Sequence, residues 1–232
     1  MAGHTHFEES TEEYLEAIYR LDREGPGVTT SGIASELGVA PASVSGMLKK
    51  LASEGFIDHQ ARGGAKLTKK GLEIAVRVIR RNRLAECLLT QVLGMDWDEV
   101  HTEACRLEHA ISSRVEERLV AVLGNPQVCP HGHPIPSLDL SDPPRPGVPL
   151  AQIAQGENAV VHGVTEDLPE ILRYLGELGL RPGAKVEVFE KAPLGGPVTI
   201  GVDSRRHAIS LELARKITVL GPPGSQEAEE FT

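Results

Sequence analysis

No run of apolar residues in the sequence approaches the roughly 18 that a membrane-crossing helix needs, which excludes a bilayer span of that kind. Cysteines are few: Cys87, Cys105 and Cys129 are an odd number that cannot complete a disulfide framework and suit a reducing compartment. The N-terminus lacks the basic start and apolar stretch of a secretory signal. A soluble, cytoplasmic protein is therefore the expectation. An excess of positive charge is also missing. The formal net charge of −9 argues, taken over the whole chain, against a nucleic-acid partner, because phosphate contacts require clustered Lys and Arg.

The distribution of charge reverses that impression. Between Met47 and Arg83 stand ten Lys/Arg against three acids, whereas the first 24 residues carry seven acids against two arginines. At 232 residues the chain has room for more than one domain.

Apolar residues at helical spacing run from Ser10 to Leu21, with Glu13 three residues after Ser10 in a capping-box pattern. A break at Gly25-Pro26-Gly27 precedes a short helix, Thr30 to Leu37, and a third helix from Pro41 to about Glu54. Phe56–Gln60 and Lys66–Thr68 flank a glycine turn as two short strands. Helix, short helix, turn, helix and hairpin make a winged helix-turn-helix. A long helix from about Lys70 to Leu93, another from Asp96 to about Ser112 and a third from Ser113 to Leu123 form an all-helical second unit. Gly124 to Leu150 holds eight of the sixteen prolines and reads as an extended linker. Five short strands and a helix, Pro169 to Leu178, then fit a small SH3-like barrel. The expectation is a multi-domain, mainly α-helical chain: residues 1–72 a DNA-binding winged helix, 73–149 a helical metal-binding and dimerisation domain, 150–222 the SH3-like barrel, and 223–232 a disordered acidic tail.

In a helix-turn-helix the second helix enters the major groove with its N-terminal residues. Here these are Ala40, Ala42, Ser43 and Ser45, small or hydroxyl side chains that can approach base edges. Lys49, Lys50, Arg62 in the wing and Lys66 are placed for phosphates.

His101, Cys105, Glu108 and His109 stand at relative positions 0, 4, 7 and 8, one stripe of an ideal helix. Glu13 and Glu16, three apart at the margin of a core, need a countercharge that a divalent metal bridging to Cys105, Glu108 and His109 would supply. Each residue alone reads as surface or core; together they point to ligation. Cys129-Pro130-His131-Gly132-His133 reads equally as a ligand cluster or as a structural turn, and Cys87 as core. A metal-independent regulator sensing a small organic ligand is the alternative. An enzyme with a Cys105 nucleophile lacks a well-placed base.

These features resemble the diphtheria toxin repressor family of iron- and manganese-dependent regulators. The resemblance is carried by Ser10–Leu15, the winged helix, Arg83–Glu86, Glu103–His109, Gly132–Pro136 and a C-terminal domain similar to the ferrous-transport accessory (FeoA) domain. It implies a primary metal site of Glu13, Cys105, Glu108 and His109 and an ancillary one involving Glu86 and His101. Glu13 stands where iron-type members carry methionine, and Glu16 adds a second acid as in manganese-type members, so Mn(II) is favoured, with Fe(II) as the second candidate. Asn82 stands in the position of an ancillary histidine, which leaves that site weak, rearranged or completed by other groups, among which the acids near Glu166 and Asp167 are candidates. The resemblance further implies a homodimeric repressor of metal-ion homeostasis on a palindromic DNA operator.

Overall fold

The computed structural model describes residues 9–25, 27–60, 64–140, 147–165 and 168–221. Arg62, the acids Glu166 and Asp167, Pro143–Pro146 and the acidic tail lie outside them. Packing divides the chain into two units. One is built from Met1–Asn82, Leu107–Ser112 and Pro136–Asp142, the other from Arg83–Arg106, Ser113–Ile135 and Pro143–Thr232.

The first unit is the winged helix with the start of the long helix. α1 (Glu9–Glu24), α2 (Thr30–Leu37) and α3 (Pro41–Ser53) are followed by the hairpin β1 (Ile57–Gln60) and β2 (Gly64–Leu67), then by α4 (Lys69–Gln91). Each break has a local cause. Thr29 caps α2 by accepting from Gly32 N, and Gly38 ends it in the left-handed region at φ 64°. Pro41, with its preset φ, opens α3. Tyr14, Leu15 and Ile18 of α1, Ile33 of α2, Val44, Leu48 and Leu51 of α3, and Ala75 and Ile79 of α4 close one core. That burial holds α1 against the rest of the winged helix. α1 is already helical at Glu9, so Ser10 sits inside the helix and not at its N-cap, contrary to the capping-box expectation.

The second unit contains α5 (Val100–Leu107), α6 (Ser113–Val122) and an antiparallel sheet. The expected helix from Asp96 to Ser112 is shorter: α5 ends at Leu107, and Glu108–Ala110 tighten into a 3-10 turn. The sheet has six strands, not five, in the order β3-β8-β4-β5-β6-β7. They are β3 (Val148–Pro149), β4 (Asn158–Val164), β5 (Lys185–Lys191), β6 (Val198–Val202), β7 (Arg205–Ile209) and β8 (Ile217–Leu220), with α7 (Pro169–Glu177) after β4 and α8 (Leu211–Lys216) before β8. β3 was hidden by its proline, and α8 by its shortness; Ser210 caps α8 by accepting from Leu213 N. The register between β4 and β8 slips between Val161 and Gly163, which makes His162 the extra residue of a β-bulge.

The proline-rich stretch is not an extended linker throughout. Val128 and Pro134 form a β-bridge, and Cys129, His131 and Ile135 are buried. Its carbonyls are used: Arg83 donates to Pro134 O in the second unit, and Arg80 donates to Pro136 O in the first. Prolines here rigidify a packed loop.

Candidate metal centres and DNA-reading face

In the first unit, α1 carries acids at i, i+3, i+4 and i+7, and the 3-10 turn brings a histidine and a further acid. Donor atoms of Glu9, Glu13 and His109 lie within 4.8 Å of one another. His109 Nδ1 is 2.6 Å from Glu12 Oε2 and its Nε2 3.2 Å from Glu108 Oε1. The hydrogen bond to Glu12 raises the His109 pKa against the opposing effect of burial. Glu16 is held by Arg20 at 2.8 Å. Glu108 is 3% exposed, and its Oε2 has no hydrogen-bond partner. Burial first, and then the Glu16 charge, push its pKa up to about 8, against Asn82, His109 and Arg20. A buried carboxylate facing another carboxylate, with one oxygen orphaned, is a poor arrangement without a cation. Hard oxygen donors and one imidazole fit a divalent ion there.

In the second unit a deeper set gathers around Glu86 of α4. His101 Nδ1 and His131 Nδ1 lie 3.1 and 3.3 Å from Glu86 Oε1. Donor atoms of Glu86, Cys129 and His131 fall within 4.8 Å of one another. Burial, the largest single influence, opposes ionisation of Glu86, yet hydrogen bonds from His101, His131 and Cys129 together hold its carboxyl well below the ordinary value. Burial and then the Glu86 charge push the Cys129 thiol well above its ordinary value. Glu86 Oε2 has no hydrogen-bond partner. A buried acid with an imidazole and a thiol at one point again suits a metal, here with mixed O, N and S donors. Cys105 Sγ lies 3.6 Å from His101 Nε2. Cys87 donates to Val128 O, and burial, then Glu86, push it up to about 12, in keeping with a core thiol.

The single α-helical stripe expected for His101, Cys105, Glu108 and His109 is therefore not what forms. His101 and Cys105 stay on α5, one turn apart, while Glu108 and His109 belong to a 3-10 turn, whose three residues per turn re-aim them. Asn82 is buried and hydrogen-bonds Glu108 in the first unit. The groups that complete the surroundings of Glu86 are Cys129 and His131, which sequence reasoning left undecided. The Cys-Pro-His spacing was their only signal.

At the start of α3, the helix expected to enter the major groove, Ala40, Ala42, Ser43 and Ser45 are all exposed beside the buried Val44. Ser45 Oγ turns back to donate to Pro41 O at 3.0 Å. Lys49 and Lys66 are exposed and Lys50 is half-buried.

Residues 6–65 match the family model of the iron dependent repressor N-terminal DNA binding domain, 68–137 that of the iron dependent repressor metal binding and dimerisation domain, and 148–220 that of the FeoA domain. The chain is 37% identical to the iron-dependent repressor IdeR of Mycobacterium tuberculosis over 91% of its own length and 96% of that protein. The chain belongs to the iron-dependent repressor family. It is also 31% identical to the diphtheria toxin repressor of Corynebacterium diphtheriae, with 91% of the chain and 96% of that protein covered. Among solved structures it resembles a manganese-dependent transcriptional repressor in complex with manganese, at a TM-score of 0.85 and 33% identity, covering 91% of the chain and 100% of that structure. It also resembles the manganese regulator SloR, at a TM-score of 0.77 and 31% identity, covering 91% and 98%. The family's members are repressors and not enzymes, and this one is a metal-dependent transcriptional repressor with DNA-binding and dimerisation domains. Among the described residues no helix is long and apolar enough to cross a membrane.

Proposed function

We propose that this repressor answers to Mn(II), with Fe(II) as the second ion its donors accept, and binds a palindromic operator as a homodimer once loaded. The observation that carries the reading is the orphaned, buried Glu108 Oε2 beside Glu16, His109 and the acids of α1. Glu13, Glu16, Glu108 and His109 form the proposed ligand set of the first centre. Its oxygen-rich character favours the harder Mn(II). Glu86 and His101, joined by Cys129 and His131, form that of the second. Cys105, beside His101, stays in the proposed ligand set.

Metal neutralises the acids that α1 presents, and α1 is packed into the core of the winged helix. Loading thus favours one placement of the reading helix, through differential binding to two states. Ala40, Ala42, Ser43 and Ser45 meet bases; Lys49, Lys50, Arg62 and Lys66 meet phosphates. Val92, Leu93, Val115 and Val122 leave apolar side chains exposed in the second unit, which supports pairing through the central helices. Residues 1–72, 73–149 and 150–222 are the proposed functional segments.

The test is fluorescence anisotropy on a palindromic duplex recovered by selection in vitro, with the protein first stripped by chelator. Restoring Mn(II) or Fe(II) at fixed salt should tighten binding at least tenfold, and Zn(II) serves as comparison. Binding indifferent to chelator would overturn the metal-responsive reading.

A further inference from the structure

Trp97, the chain's only tryptophan, lies in the connection between α4 and α5, yet it is 3% exposed and belongs to the apolar core of the C-terminal sheet with Leu172, Leu175 and Leu180. The seat is close-fitting. The Arg181 guanidinium lies 5.2 Å over the ring. A Cβ on Gly176 of α7 would stand 2.9 Å from the indole Nε1, so only glycine lets the ring sit there undisturbed. The next residue, Asp98, accepts from Arg173 Nε of the same helix at 3.1 Å.

The other side of Trp97 faces the second centre. Its ring is 5.6 Å from the fully buried imidazole of His131, and its main-chain carbonyl is 2.7 Å from His131 Nε2. A carbonyl can only accept, so His131 carries its proton on Nε2. With Nε2 so held, Nδ1, the nitrogen 3.3 Å from Glu86, is the one left to meet a metal. A carbonyl behind a metal-ligating histidine sets its tautomer and ring orientation. The C-terminal domain also holds the backbone of His131: Val164 N donates to His131 O at 2.9 Å, and Gly132 presses on the His162 bulge, where a Cβ would come within 2.1 Å of His162 O.

We propose that Trp97 is a positioning residue for the second metal centre: a peg seated in the C-terminal core whose carbonyl aims His131, so that the packing of the FeoA-type domain sets the metal affinity of a site it overlies. The proposal rests on the reading that Glu86, Cys129 and His131 hold a metal. By linkage, metal at the centre strengthens the seating of the peg by the same factor.

The experiment is a Co(II) titration of the full chain, following the thiolate-to-cobalt charge-transfer absorption and using Cys129→Ser to identify the part due to Cys129. Trp97→Ala should weaken the Cys129-dependent binding by about 10- to 100-fold, as expected when a group supporting a ligand is lost. Trp97→Phe, which keeps the ring in its seat, should recover most of the loss. Gly176→Ala, which touches no ligand but pushes on Nε1, should weaken the same binding several-fold. Cobalt bound at the first centre, read in the Cys129→Ser background, should be unchanged in all three. If Trp97→Ala does not fold, Gly176→Ala carries the test. A charge-transfer signal with unaltered midpoint in Gly176→Ala, and in Trp97→Ala where it folds, overturns the proposal alone. A wild-type protein without any Cys129-dependent signal overturns the second-centre reading and the proposal with it.

Discussion

Glu108 is an acid whose environment favours its proton. Its folded value of about 8 against an ordinary 4.5 means that between those pH values the native state holds a proton the unfolded chain has released. Stability from this group is therefore complete below pH 4.5 and is lost as pH rises through about 8, at up to about 1.4 kcal/mol per pH unit. Urea unfolding of the chelated protein should show this decline, and Glu108→Gln, which cannot ionise, should flatten it. Metal reverses the preference by replacing the proton, so affinity at the first centre should rise with pH over the same interval. Glu108→Ala and His109→Ala should each abolish metal-stimulated operator binding while leaving the circular dichroism spectrum intact. An unchanged Mn(II) response in both would remove these residues from the site.

At the level of elements, the loop at 128–135 shows how a segment that looks like a linker packs into the buried cluster around Glu86. Gly132 holds φ 86° and packs on the carbonyl of His162. An alanine there meets both a strained backbone and a steric clash. Gly132→Ala should cost about 1–3 kcal/mol of stability, the range for strain at a special backbone position, and should loosen the second centre because His131 is the preceding residue. Thermal unfolding with and without Mn(II) measures both; a variant as stable and as metal-responsive as wild type would contradict the close packing of this loop. The winged helix, by contrast, was legible from its sequence. Val44, Leu48 and Leu51 repeat at helical spacing, and Gly38, Pro41 and Gly55 punctuate at the points where the chain turns. The shortening of α5 was not, because nothing in Cys105–His109 marks the point at which an α-turn tightens to a 3-10 turn.

For the whole molecule, a net charge of −9 is reconciled with DNA binding by segregation of charge: acids line α1, and lysines stand on α3 and β2. Affinity should then depend strongly on salt. Lys49→Ala and Lys66→Ala should each weaken binding to all duplexes alike and reduce the slope of log K against log salt by about one, as loss of a single phosphate contact does. Ala42→Leu should instead weaken the preferred sequence selectively. A Lys49→Ala variant that changed sequence preference would mean that this lysine reads bases.

Sequence alone determined what short-range physics governs: the helices of the winged helix, the strand-rich C-terminal domain, and the carboxylate faces of α1, since periodicity, punctuation and i, i+3, i+4 neighbours are properties of adjacent residues. Through the resemblance it also grouped Glu86 with His101, and the structure sets His101 Nδ1 3.1 Å from Glu86 Oε1. Only the tertiary structure decided that Cys129 and His131 join them, that Asn82 serves Glu108, and that Trp97 is anchored in the C-terminal core. Those meetings depend on buried contacts between residues up to about eighty positions apart, as between Trp97 and Leu172–Leu180, and no local pattern encodes them.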